Sequence, residues 1–215
     1  FMDIPMADAL TTYTMGFDKS GKKLRLVDSR KRNTSALMEL DLASGEQTKM
    51  AENELADVAD VLMHPVDKTI KGVAFNYTRK QWTFLDKAVE ADFAVLRKAA
   101  KGDIEVISAT LDAKQWMVAF VRPDGPVKYY HYDRQTKKSR YLFSNRPELE
   151  KLKLAPMMPH VIKSRDNLSL VSYLSLPVGS DADKDGIPDK PLPMVLYVHG
   201  GPWARDSWGY NPYHQ

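Results

Sequence analysis

Between Tyr197 and Pro202 the chain reads Tyr-Val-His-Gly-Gly-Pro, and those residue types suit one kind of chemistry. When a nucleophile adds to a carbonyl carbon, the oxygen becomes an anion. N–H groups already fixed in place stabilise it, and glycines let the backbone approach with no Cβ in the way. A His-Gly-Gly run on the loop after a strand is one way to place such a donor. The amide of Gly201 is the expected donor, Gly200 permits the turn and His199 shapes the loop, while Pro202 has no N–H to offer. A glycine turn that merely closes a strand accounts for the same residues, and the motif alone does not separate the two readings.

A second cluster lies just upstream, in the stretch "DADKDGIPD" from Asp181 to Asp189. Asp181, Asp183, Asp185 and Asp189 stand at positions 1, 3, 5 and 9 with Gly186 at position 6, the first half of an EF-hand-type calcium loop. Position 12 is Leu192 in place of the bidentate Glu, and Pro188 and Pro191 interrupt the second half, so a complete EF-hand is excluded. An acidic, solvated loop joining two strands is the favoured reading, because Asp, Gly and Pro are ordinary turn residues. Any Ca²⁺ held there would be structural, and no other cofactor is required. The histidines, His64, His131, His160, His199 and His214, have no partner arrangement that makes a triad, and no Gly-x-Ser-x-Gly elbow occurs. His64, before Pro65 at a strand end, and His131, in an aromatic strand, read as structural. With no cysteine, thiol catalysis and thiolate metal sites are excluded for these 215 residues.

A donor loop of this kind has to be carried by a rigid element. Met194 to Val198 is a continuous apolar run, the pattern of a strand buried on both faces of an α/β sheet. Before it, "VIKSRDNLSLVSYLSLP" predicts a hairpin turning at Arg165-Asp166-Asn167, with Leu168, Leu170 and Tyr173 as core candidates. Pro147, Pro156 and Pro159 mark a connector that separates this part from the rest. Trp203, Trp208, Tyr210 and Tyr213 read as packing across the junction, and Arg205 and Asp206 as polar contacts over the same interface.

Residues 1–155 carry a repeat. Asp18, Asp67 and Asp112 each precede a short polar turn and an alternating strand, 49 and 45 residues apart, and Val73-Ala74-Phe75 recurs as Val118-Ala119-Phe120. A period of 40 to 50 residues with several short strands is the mark of a β-propeller blade, which cannot bury both faces without neighbours. Three blades are expected. The first has strands near 9–17, 23–29, 35–41 and 46–51; the third near 103–110, 115–122, 127–133 and 138–143. In the middle blade strands near 57–64 and 70–77 and "KQWTFLD" precede Val89, Phe93 and Leu96 at helical spacing, with Gly102 as a stop, so a helix decorates or replaces the outer strand. A β-sandwich with regular hairpins is the competing architecture.

A hydrophobic content of 43% excludes a disordered chain, and 31 basic against 28 acidic residues, without a basic block, give no case for nucleic acid. No apolar window is long enough for a membrane helix, and the first residues lack the pattern of a signal peptide. A soluble protein of cytoplasm or periplasm is expected.

The order of these parts, with "SRDNLSLVSYLSLP" and "HGGPWARDSWGYNPYHQ", resembles the prolyl oligopeptidase family of serine peptidases, particularly its acylaminoacyl-peptidase and dipeptidyl-peptidase-like bacterial branch. The resemblance covers the whole chain, most specifically residues 161–176 and 194–215. It implies a mainly β chain made of the C-terminal blades of a propeller (1–155) and the first strands of an α/β-hydrolase domain (156–215). In that family a seven-bladed propeller gates a site built from Ser, Asp and His, and His199 to Pro202 map onto its oxyanion loop. The triad would then lie beyond Gln215, the chain would be an internal piece of a longer peptidase, and by itself it would not turn over substrate. The implied partners are a peptide substrate and either the remainder of the same polypeptide or a second copy of the chain. An esterase on the same hydrolase start and a noncatalytic propeller scaffold are the alternatives.

Overall fold

The computed structural model describes residues 2–215. Strands β1 (Tyr13–Phe17), β2 (Lys23–Asp28), β3 (Ala36–Asp41) and β4 (Gln47–Ala51) form an antiparallel meander in chain order. Strands β5 (Val58–Met63), β6 (Ile70–Asn76) and β7 (Lys80–Phe84) form a second, and β8 (Asp103–Ala109), β9 (Gln115–Val121), β10 (Lys128–Asp133) and β11 (Lys138–Ser144) a third. The expected strands of all three blades are present. The one early difference is at residues 9–12, where a 3₁₀ turn at Met6–Asp8 and the bonding of Thr12 to Ser29 delay β1 until Tyr13.

The second sheet lies between the other two, and the central strands carry long buried runs. In β6, Gly72 to Phe75 are buried without a break, and in β2 Leu24 to Asp28 are. Val27 and Leu37 of the first meander pack with Val58, Ile70, Val73 and Phe75 of the second. Ile104, Trp116, Val118, Phe120 and Tyr132 of the third pack on the other side of the second. Stacking each meander on the next in this way makes them successive blades of a β-propeller. Polar contacts repeat at each junction: Arg25 reaches the Lys68 carbonyl between blades one and two, and Lys80 holds Asp60 at 3.2 Å and Glu105 at 2.9 Å between blades two and three.

The repeated aspartates close the hairpins. Asp18 accepts from the Lys23 and Ser20 amides and the Ser20 hydroxyl, Asp67 from the amide and hydroxyl of Thr69, and Asp112 from the Thr110 hydroxyl and Lys114 amide. Asp41 and Asp133, 92 residues apart, each accept from the amides two and three residues on and are followed four residues later by a left-handed residue, Gly45 or Lys137. The sequence repeat is therefore a repeat of turn chemistry.

Blade two has three strands, and helix α1 (Lys87–Ala99) takes the place of its fourth. Asp86 caps α1 by accepting from the amides of Ala88 and Val89. Val89, Phe93 and Leu96, spaced to share one face, are buried against Trp82, Phe84 and Trp116. Among the described residues no helix is long and apolar enough to cross a membrane.

After a 3₁₀ turn at Pro147–Lys151, strands β12 (Met157–Lys163) and β13 (Ser169–Ser175) pair as an antiparallel hairpin, with Asn167 left-handed in its turn. The expected connector is thus shorter than its prolines suggested, since Pro159 lies inside β12; a two-stranded ribbon has open edges that tolerate a residue with no N–H. Two further expectations fail. Leu168 and Leu170 are 60% and 48% exposed rather than core, although Tyr173 is half-buried. Met194 to Val198 is not a strand buried on two faces: these residues are 51–90% exposed and join no sheet among the described residues. A strand needs an adjacent edge for its backbone N–H and C=O groups, and among the described residues none lies beside this run.

Candidate functional site

The His199–Pro202 loop lies on the surface and follows the unpaired apolar run. His199 Nδ1 is 2.7 Å from the Gly200 carbonyl oxygen, which can only accept, so the ring donates through Nδ1 and turns over the loop backbone. The space that a Cβ would fill is empty at Gly200 and meets only the Trp203 amide nitrogen, at 3.7 Å, at Gly201. Neither glycine has a left-handed φ. Their lack of a side chain therefore leaves the outward side of the loop open. Among the described residues neither amide donates to a backbone or side-chain acceptor. The Gly201–Pro202 bond is cis, and the Ala204 amide donates to the Pro202 carbonyl at 3.1 Å, which closes a tight turn just after the loop.

The segment beyond the loop is tied to the blades. Arg205 donates through Nη1 to the Asn76 carbonyl at 2.6 Å and through Nη2 to that of Tyr77, and its Nε donates to the Asp206 carbonyl. Trp208 Nε1 donates to the Met157 carbonyl at 2.8 Å, and the Arg79 guanidinium lies 3.8 Å from the centre of its ring. Arg79 also pairs with Asp103, whose carboxyl burial pushes up and Arg79 pulls back. The Tyr173 hydroxyl donates to the Thr78 carbonyl, and the Gln215 side chain bonds the amide and carbonyl of Ala155 and the carbonyl of Pro123. The expected packing role of the aromatics holds for Trp208 and for Tyr210, which lies near Arg146. Trp203 and Tyr213 stay 81% and 79% exposed, Tyr213 stacked on Tyr197.

Carboxylate oxygens of Asp181, Asp183 and Asp185 lie within 4.8 Å of one another. They would supply three of the six to eight oxygens that Ca²⁺ takes. Asp181 already accepts from the amides of Asp185 and Gly186, and Asp183 from that of Asp185. Asp189 stands apart from the three, accepting from the Ala182 amide at the mouth of the loop. A Cβ on Gly186 would lie 3.1 Å from Met158 Sδ, so the loop rests on β12.

His64 Nδ1 accepts from the Val66 and Asp67 amides and closes the β5–β6 turn, and His131 sits mid-strand opposite Met117 and Arg140. Among the described residues no serine hydroxyl bonds a histidine. Two features went unseen in the sequence. Asp92, on the buried face of α1, is fully enclosed and accepts from the Tyr132 hydroxyl, Arg134 Nε and Lys137 Nζ. The Asn76–Arg79 turn between β6 and β7 is gripped from the far end of the chain. The only signal for Asp92 was its place beside Phe93 on the apolar stripe; the turn offered none.

No family model matches the chain. Over all 215 residues it is 47% identical to dipeptidyl aminopeptidase BIII of Pseudoxanthomonas mexicana, covering 31% of that protein. It is 28% identical to dipeptidyl peptidase family member 6 of Caenorhabditis elegans, over 99% of this chain and 31% of the relative. Among solved structures, a Bacteroides ovatus protein described as a dipeptidyl aminopeptidase IV superposes with a TM-score of 0.58 at 15% identity, over 92% of this chain and 30% of that one. That likeness shows the fold. The chain thus spans about a third of the length of the curated relatives it matches. With its stacked blades and its His-Gly-Gly-Pro loop, the chain is a homologue, over its whole length, of these dipeptidyl peptidases.

Proposed function

We propose that this chain is part of a serine peptidase that removes dipeptides from the N-termini of short peptides through an acyl-enzyme. Residues 1–155 are then the end of a propeller that restricts access, and residues 156–215 begin the α/β-hydrolase domain. The nucleophile, acid and base are supplied by sequence outside these 215 residues. The observation that carries the reading is identity of 47% to a dipeptidyl aminopeptidase along the entire chain, blades and loop together. It is supported locally by the Gly201 amide, which has no acceptor among the described residues and so is available to a substrate oxyanion. In this mechanism the amide strengthens its hydrogen bond as the scissile carbonyl gains charge, and so stabilises the transition state more than the bound substrate. His199 orients the loop through the bond from its Nδ1 to the Gly200 carbonyl.

The test is made on the full-length protein, with dipeptide 4-nitroanilides, acyl esters and a fluorophosphonate probe. One covalent adduct and release of dipeptides are expected. An adduct with turnover of esters alone would favour the esterase, and no adduct would favour a noncatalytic scaffold. Gly201→Val should lower kcat by about 10² or more, because the added side chain enters the open space beside the amide that a substrate oxyanion would take. Unchanged kcat would remove the loop from the chemistry.

A further inference from the structure

Four consecutive residues of one blade turn each meet a group from the last third of the chain. Asn76 and Tyr77 offer their carbonyls to Arg205, Thr78 offers its carbonyl to the Tyr173 hydroxyl at 2.8 Å, and Arg79 lies over the Trp208 ring at 3.8 Å. The partners are 129 residues apart for Asn76 and Arg205 and 95 for Thr78 and Tyr173. A planar guanidinium is suited to this grip, since its fixed fork can donate to two adjacent peptide carbonyls at once. Bonds from an ionised donor are roughly twice as strong as neutral ones. A lysine ammonium, a single point on a flexible stem, does not reproduce that geometry.

The link from this anchor to the Gly201 amide is short and stiff. Only Pro202, Trp203 and Ala204 intervene, the ring of Pro202 fixes its φ, and the Ala204 amide closes onto the Pro202 carbonyl. Among the described residues the glycines themselves contact little that would hold them, so the nearest fixed point downstream is the Arg205 side chain.

We propose that Arg205 is a positioning residue for the oxyanion loop: anchored on the Asn76 and Tyr77 carbonyls of the β6–β7 turn, it sets the direction of the Gly201 N–H. The proposal rests on the acyl-transfer reading of the His199–Pro202 loop. It makes a propeller blade part of the support of the catalytic apparatus, in addition to any gating. Donors at an oxyanion site act because they are fixed before the charge develops, and a displacement of about 1 Å can cost about 10²-fold in rate. Loss of such positioning lowers kcat and leaves ground-state binding nearly unchanged.

In the full-length protein, Arg205→Ala should lower kcat on a dipeptide 4-nitroanilide about 10- to 10²-fold, with KM held within about twofold. Added guanidinium should restore part of the kcat of Arg205→Ala and leave the parent protein unaffected. Should Arg205→Ala not fold, Arg205→Lys decides, because it keeps the charge and the stem but not the fork, and a reduced kcat at unchanged KM is again expected. A kcat equal to the parent's in the folded variant, or a loss that appears in KM instead, overturns the proposal. Gly201→Val separates failure of the anchor from failure of the oxyanion loop. If Gly201→Val is inactive while Arg205→Ala is fully active, the anchor alone is wrong; if Gly201→Val is fully active, the oxyanion reading fails and the anchor with it.

Discussion

Asp92 shows how much one side chain can carry in this chain. It is enclosed on α1, yet it accepts from Tyr132, Arg134 and Lys137, so a single carboxylate joins the helix of blade two to β10 and the turn after it in blade three. Burial and the neighbouring carboxylate together hold the Tyr132 phenol well above its ordinary value, as a neutral donor. Asp92→Ala removes the acceptor and leaves those donors in an apolar setting, where breaking a buried pair costs about 3–5 kcal/mol. The lower end is expected, because Lys137 is 45% exposed and can turn to water. Urea unfolding of the full-length protein measures it, and a loss below about 1 kcal/mol would mean that the donors find other partners. Gly102 is sensitive for a different reason. It holds a φ of +132°, and a Cβ there would stand 2.5 Å from the Val121 carbonyl oxygen. Gly102→Ala is expected to cost about 1–3 kcal/mol by the same measurement, through backbone strain and displacement of β9. An unchanged midpoint would show that the backbone yields freely.

Among the elements, α1 is the one that departs from the blade pattern, and its stability comes from what it covers. Phe93 is 1% exposed, with ring centres 4.8 Å from Phe84 and 5.5 Å from Trp82, so it fills the space between blades two and three. Phe93→Ala leaves a cavity that the surrounding rings cannot close, at about 3–5 kcal/mol. A fall in thermal midpoint with blade one still protected from hydrogen exchange would place the loss where the packing does. Uniform loss of protection would instead show that the blades unfold as one unit. The helix was legible because Val89, Phe93 and Leu96 recur at helical spacing, with Gly102 as a stop. The run Met194 to Val198 was equally legible as apolar, but apolar character does not supply a neighbouring edge.

Across the whole molecule, the hairpin aspartates link the fold to pH. Hydrogen bonds from the Ser20 hydroxyl and the Lys23 amide hold Asp18 down to about 2, and similar turn bonds lower Asp41, Asp67, Asp112 and Asp133. A carboxyl whose folded value is depressed adds stability above its unfolded value, about 4, and loses it as pH falls toward the folded one. The unfolding midpoint should therefore stay level above about pH 5 and decline between about pH 4 and 2. All five carboxyls are open to solvent, so each contribution is small and the trend is collective. Asp18→Asn should lower the midpoint at neutral pH and make its acid decline shallower; a decline as steep as the parent's would rule out this origin.

What the sequence determined by itself was whatever is settled within a few residues: the aspartate turns, the short strands of the blades, the helical stripe of α1, the Arg165–Asn167 hairpin, and the open His-Gly-Gly-Pro loop. Those features depend on local hydrogen bonds and on which face a side chain takes. Tertiary structure alone decided that Asp92 is a buried junction, that Leu168 and Leu170 stay in solvent, and that Arg205 holds the Asn76–Arg79 turn. Each of these depends on partners tens of residues away, brought together by the stacking of blades, and no local pattern records which carbonyl a distant guanidinium will meet.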